Sequence, residues 1–197
     1  MEKTAVRKYC ITGDTHGNLG FRVFYEARRK GYSNIFICGD WGYIWNGGFK
    51  ENKRIDYLSK IGINIYWVDG NHENFDLLEK YPVVELNGGK AHKIRDNIYH
   101  LMRGEIFTFG DKKILAFGGA NSTDKEWRKE GKSWWAQEVP NEEEKNNARK
   151  NLEKNNYEVD HIITHTTHTR ALKDMSANYR VDDVSDFLSE IYHTTRF

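Results

Sequence analysis

Four times along the chain a short apolar run ends in a turn that carries aspartate, asparagine or histidine. Cys10-Ile11-Thr12 leads into Gly13-Asp14-Thr15-His16-Gly17-Asn18, and Ile35-Phe36-Ile37-Cys38 leads into Gly39-Asp40. Ile65-Tyr66-Trp67-Val68 leads into Asp69-Gly70-Asn71-His72-Glu73, and Ile162-Ile163-Thr164 leads into His165. Runs this short and apolar read as buried strands. The pattern therefore predicts strands over 9–12, 34–38, 63–68 and 159–164, the first of them central in its sheet. Between the runs the apolar spacing becomes helical. Phe21, Phe24, Tyr25 and Arg28 fit a helix capped at Asn18 and stopped by Gly31, and Ile55 and Leu58 fit one over 49–60 ended by Gly62. Strand, helix, strand at this separation makes a βαβ unit with parallel strands.

Beyond His72 the texture changes. A short helix over 74–80 stops at Pro82. Residues 83–118 alternate, with turn signals at Asn87-Gly88-Gly89, Asp96-Asn97 and Gly110-Asp111, which predicts an antiparallel meander. Residues 118–140 form a long polar loop. Its Trp127, Trp134 and Trp135 argue against disorder and for a packed or functional segment. A charged helix over 141–156 opens on Glu142-Glu143-Glu144, suited to a helix N-terminus. A last helix over 181–192 turns Val184, Phe187, Leu188 and Ile191 inward. No repeat, low-complexity tract or linker interrupts the chain, so a single domain over 1–197 is expected.

Composition narrows the partners. The 30 Lys+Arg and 29 Asp+Glu of the 197 residues nearly cancel, which gives no overall electrostatic reason to expect a nucleic-acid polymer and leaves only a local basic groove open. No apolar stretch approaches the ~18 residues of a membrane span, and the charged residues 1–8 hold no apolar leader. A cytoplasmic protein is expected, with Cys10 and Cys38 as buried reduced thiols.

In open α/β sheets, ligands gather beyond the carboxyl ends of the strands. The four runs would thus bring Asp14, His16, Asp40, Asn71, His72 and His165 to one edge. Carboxylate, imidazole and amide oxygen without thiolate is a donor set for manganese, iron or zinc, manganese first.

Gly13-Asp14-Thr15-His16, Gly39-Asp40, Gly70-Asn71-His72-Glu73 and the later His165, in this order, resemble the calcineurin-like metallophosphoesterase family. The resemblance implies a four-layer α/β/β/α sandwich of two mixed sheets around two divalent metal ions. It implies that Asp14 and His16 hold the first metal, Asp40 bridges, and Asn71 and His165 hold the second. His72 would assist the leaving oxygen without binding metal, with Glu73 fixing its tautomer. The activity implied is hydrolysis of a phosphomonoester or phosphodiester by a metal-bridged hydroxide. Arg103, Arg128 and His168 are the candidates to contact the substrate, a phosphate ester.

Two positions depart from the family pattern. Tyr43 stands where an acidic residue usually follows the bridging aspartate. No Gly-His-X-His motif follows His165, and His168 and His193 are the only later histidines. The resemblance is thus to a C-terminally shortened member. Three readings follow: a phosphoesterase weakened by lost ligands, one in which His168 or His193 stands in for a lost ligand, or a degenerate fold that works as a binding protein, with a homo-oligomer partner as one way to complete the site.

Overall fold

Alternation along each strand decides which layer its side chains enter. In the computed structural model, which describes residues 9–18, 21–175 and 181–197, the strands are β1 (Tyr9–Thr12), β2 (Asn34–Cys38), β3 (Asn64–Val68), β4 (Val83–Leu86), β5 (Gly89–Arg95), β6 (Ile98–Leu101), β7 (Glu105–Phe109), β8 (Lys112–Phe117) and β9 (His161–Thr164). The helices are α1 (Phe21–Arg29), α2 (Phe49–Ser59), α3 (Phe75–Leu78), α4 (Glu142–Lys154), α5 (Thr169–Met175) and α6 (Asp183–Thr194). The leaderless reading of 1–8 falls outside the described residues. The expected cap of α1 at Asn18 adjoins residues 19–20, which also lie outside them.

Ile35 and Ile37 of β2 and Ile65 and Trp67 of β3 face outward, onto Phe24 and Ala27 of α1 and Ile55 and Leu58 of α2. Their neighbours Phe36, Tyr66 and Val68 face the other way, onto Phe107, Ile114, Ala116 and Ile163 of the second sheet. Leu115 and Phe117 of β8 then meet Ala148 and Leu152 of α4 and Val184, Phe187 and Leu188 of α6. Helices, sheet, sheet, helices: the fold is the four-layer α/β/β/α sandwich, with an apolar seam between each pair of layers.

Both sheets are mixed. The first runs β1-β2-β3-β6-β5-β4, parallel from β1 to β6 and antiparallel from β6 to β4. The second runs β7-β8-β9, antiparallel and then parallel. The expected single meander is therefore divided. The chain changes sheet at Met102-Arg103-Gly104, where a Cβ on Gly104 (φ +78°) would stand 2.6 Å from the Ala148 nitrogen of α4. Helix and turn approach too closely there for any side chain.

The placement of β1 also differs from expectation. It is the edge of the first sheet, paired with β2 alone among the described strands, and Ile11 is 51% exposed. Apolarity predicted burial on both sides; among the described strands the sheet instead ends there. Cys10 and Cys38 are free thiols, half-buried rather than buried. α5 is a helix where the sequence carries little apolar periodicity. No helix among the described residues is long and apolar enough to cross a membrane.

Candidate metal centre

Parallel register aligns the strand ends. Thr12 sits opposite Ile37, and Cys38 opposite Val68, so the turns after β1, β2 and β3 leave the sheet side by side. Backbone hydrogen bonds stitch the first two: the N–H groups of Asp14, His16 and Gly17 donate to the carbonyls of Gly39, Asp40 and Trp41 at 3.2, 2.8 and 2.8 Å. Gly17 and Gly42 lie so close that a Cβ on Gly42 would stand 2.4 Å from the Gly17 nitrogen.

Asp14, His16 and Asp40 all adopt left-handed backbone conformations, with φ of 55°, 45° and 48°. Non-glycine residues are held this way only where the surroundings impose it, and such positions cluster at functional sites. The left-handed turns aim the three side chains at one another. His16 Nε2 lies 2.7 Å from Asp14 Oδ1 and 3.5 Å from Asp40 Oδ2.

On the other side of Asp40, His165 Nε2 lies 3.7 Å from Asp40 Oδ1 and 3.1 Å from Asn71 Oδ1. Donors and acceptors can be assigned by elimination. His165 Nδ1 is 2.8 Å from the Cys38 carbonyl, so it carries the proton. The Asn71 amide nitrogen donates to Ser122 Oγ at 2.9 Å, so Asn71 Oδ1 faces His165. Ser122 Oγ in turn donates to Glu138 Oε2 at 2.9 Å, and Glu138, fully buried, also takes the Ser122 N–H and meets Lys125. What remains between His165, Asn71 and Asp40 is a lone pair facing two oxygens. With a neutral ring that arrangement is repulsive, and a cation between the three atoms resolves it. The donor set and this convergence fit a divalent metal ion.

His72 comes within the same cluster: His16, Asp40 and His72 each offer a ligand atom, all within 4.8 Å of one another. Its backbone N–H donates to Asp40 Oδ1 at 2.8 Å, and its ring stands 5.2 Å from that of His16. Burial, together with the Arg128 guanidinium, pushes the His72 imidazole below its ordinary value against the pull of Asp40. Arg128 Nη2 lies 2.8 Å from His72 Nε2, while Arg128 Nε is held by Asp124 at 2.9 Å. Glu73 does not meet His72 as expected. It is buried, takes the Trp41 N–H at 2.9 Å, and so braces the turn after β2; burial and the Asp40 carboxylate push its carboxyl well above the ordinary range.

Two residues expected at a phosphate are engaged by other groups. Arg103 is 6% exposed and donates to Asp69 at 2.9 Å and to Glu144 at 3.0 Å. Its side chain joins the first sheet to α4, because a buried guanidinium needs carboxylates around it. His168 stacks on Tyr192 with ring centroids 4.2 Å apart, and its Nδ1 accepts the Ala171 N–H, an arrangement that belongs to the start of α5. Of the tryptophans, Trp135 is core and donates to Asp76, Trp134 lies beneath Lys125, and Trp127 is 84% exposed.

The sequence reading missed Ser122 and Glu138. They sit in the long loop with no periodicity to mark them; the one signal is a lone acid, Glu138, amid Trp135, Ala136, Val139 and Pro140. A family model described as calcineurin-like phosphoesterase matches residues 7–188. No curated protein matches the chain.

Proposed function

Because the chain belongs to the calcineurin-like phosphoesterase family, we propose that it hydrolyses phosphate esters with divalent metal ions held at the ends of β1, β2, β3 and β9. Asp14, His16 and Asp40 would hold one ion, and Asp40, Asn71 and His165 the other, with manganese the first candidate and iron or zinc the alternatives. Bound there, the ions supply the positive charge that acidifies water and neutralises phosphoryl oxygens. Supporting this reading above all is the convergence of His165 Nε2, Asn71 Oδ1 and Asp40 Oδ1, whose other bonds leave only lone pairs facing inward.

The remaining roles belong to the chain's own groups. Arg128, anchored by Asp124, presents N–H groups at His72 and is preorganised to take a phosphoryl oxygen. His72, beside both Asp40 and Arg128, is the group in reach of the leaving oxygen, to which it would deliver a proton. Glu73 holds the Trp41 backbone and keeps the Asp40 turn in its left-handed conformation.

A second reading, a binding protein with little turnover, has one observation in its favour: the Asp14 and His16 side chains are 67% and 51% exposed, so half of the centre is open to water. One assay decides between them. With manganese, the protein is expected to cleave a generic aryl phosphate or aryl phosphodiester, and Asp40→Asn or His72→Ala to abolish that cleavage. Metal binding without cleavage removable by those changes would sink the hydrolase reading.

A further inference from the structure

The near-zero net charge conceals a one-sided groove. Between α1 and α2 runs a cleft of about 830 Å³ whose lining includes Arg28, Lys53, Arg54 and Lys60 with Tyr25 and Tyr57, and no acidic residue among those described. The acids of the two helices are committed elsewhere. Glu26 pairs with Arg29, Asp56 with Arg95, and Glu51 takes the N–H groups of Trp45, Asn46 and Gly47. Lys53 rests over the ring of Phe49. Among the described residues, Arg28, Arg54 and Lys60 form no ion pair.

The groove opens beside the candidate metal centre. Gly17 and Asn18, directly after His16, form its near end, and Tyr43 forms part of its wall. The contacts are continuous from there: His16 stands against His72, and His72 against Arg128. A ligand occupying the groove would thus enter the centre with its anionic groups already matched.

We infer that the groove binds a single strand of nucleic acid and feeds its phosphodiester to the metal centre; the cleavage part rests on the hydrolase reading above. Four cations without a competing carboxylate suit a repeating phosphate chain. Tyr25 and Tyr57, 57% and 61% exposed, offer ring faces on which unpaired bases stack whatever their sequence, which a duplex could not use. In the reaction, a water oxygen bonds to phosphorus, the P–O bond to one sugar breaks with its electron pair, and a proton ends on that sugar oxygen.

The test is fluorescence anisotropy of a labelled oligothymidylate of roughly 12 nucleotides, in EDTA so that no turnover intervenes. Four phosphate contacts predict that log K falls with log salt with a slope of about −3. Arg28→Ala with Arg54→Ala is expected to weaken binding at least about tenfold at low salt and to flatten that slope by roughly half. Tyr57→Ala is expected to weaken binding about tenfold with the slope kept. Lys154→Ala with Lys173→Ala, on the opposite helical layer, should change neither. Equal loss from that control pair, no loss from Tyr57→Ala, or equal affinity for a duplex overturns the inference. So does competition by inorganic polyphosphate as strong, per phosphate, as that of the oligonucleotide. Aryl-phosphate cleavage without oligonucleotide binding overturns the groove alone. Binding with the predicted slopes but no cleavage of any ester supports the groove and overturns the hydrolase.

Discussion

Nη2 of Arg128 lies 2.8 Å from Nε2 of His72, and a guanidinium has only N–H to offer at that distance. The ring therefore accepts, with Nδ1 also only 3.1 Å away, and a phosphoryl oxygen would have to take over the Arg128 N–H, which would leave the ring nitrogen free to carry a proton. Removing the side chain should remove a charge-assisted hydrogen bond made to substrate. Arg128→Ala is expected to lower kcat/KM about 10–100-fold. Arg128→Lys should recover little, because one ammonium cannot hold Asp124 and reach His72 together. Steady-state kinetics on an aryl phosphate check both, and unchanged kinetics in the alanine variant would remove Arg128 from the site.

The two halves of the centre differ in exposure, and their metal affinities should differ with it. Asp40 and His165 side chains are 3% and 14% exposed, against 67% for Asp14 and 51% for His16. Buried ligands fixed by Cys38 and Ser122 lose less freedom on binding than exposed ones. Manganese titration followed calorimetrically should show two classes of site. His165→Ala should abolish the tighter and Asp14→Ala the weaker; a single class lost in both variants would contradict the asymmetry.

Ser122 tests the orienting relay by itself. Its hydroxyl gives its hydrogen to Glu138, so it can only accept from Asn71, which fixes the amide with its oxygen toward His165. Ser122→Ala frees the amide to flip. The expected result is a loss of about 10–100-fold in manganese affinity, with thermal stability reduced only slightly. An unchanged affinity would mean that Asn71 needs no such orientation.

Much of this was legible in the sequence. The four apolar runs became strands within two residues of their expected bounds; the ends of β1, β2 and β3 meet because these strands pair in parallel, while β9 reaches them from the second sheet. What was hidden depends on partners far along the chain. Ile11 reads as buried but lies on the edge of the sheet formed by the described strands, and pattern alone cannot say which strand is outermost. Arg103 reads as a phosphate ligand, yet Asp69 and Glu144 enclose it; His92 of β5 and His100 of β6 are buried side by side across two strands, a pairing no local pattern marks. Glu73 adjoins His72 in sequence, but the strand end turns it toward Trp41.

Those buried histidines predict a pH dependence. Burial, with His100 alongside, pushes the His92 imidazole down to about 4, against an ordinary value of about 6.5. The folded value is the lower one, so between the two the unfolded chain binds the extra proton. Stability from this group is complete above about pH 6.5 and falls as pH drops toward 4, by at most about 1.4 kcal/mol per pH unit. Asp69 acts in a lower window: burial would raise its carboxyl, but Arg103 and His100 outweigh it and hold it well below the usual range. Its contribution is therefore lost only as pH falls below about 4. Urea unfolding at pH 7.5 and pH 5 should show the His92 loss, and His92→Gln should flatten that step while leaving the steeper acid limb.

Gly39 ties backbone conformation to the metal centre. Its φ is +82°, and a Cβ there would stand 2.2 Å from His165 Nδ1, the atom bonded to the Cys38 carbonyl. Gly39→Ala therefore imposes two costs: a left-handed residue with a side chain, about 1–2 kcal/mol, and expulsion of the imidazole from its hydrogen bond. Gly31 separates them, since its φ is +70° and a Cβ there would meet nothing within 4 Å. Gly31→Ala should lose stability by the backbone cost alone and bind manganese normally. Gly39→Ala should lose at least as much stability and also the tighter manganese site. If Gly39→Ala retained that site, His165 would have to reach the metal from another rotamer, and the hydrogen bond to Cys38 could not be what fixes its free nitrogen.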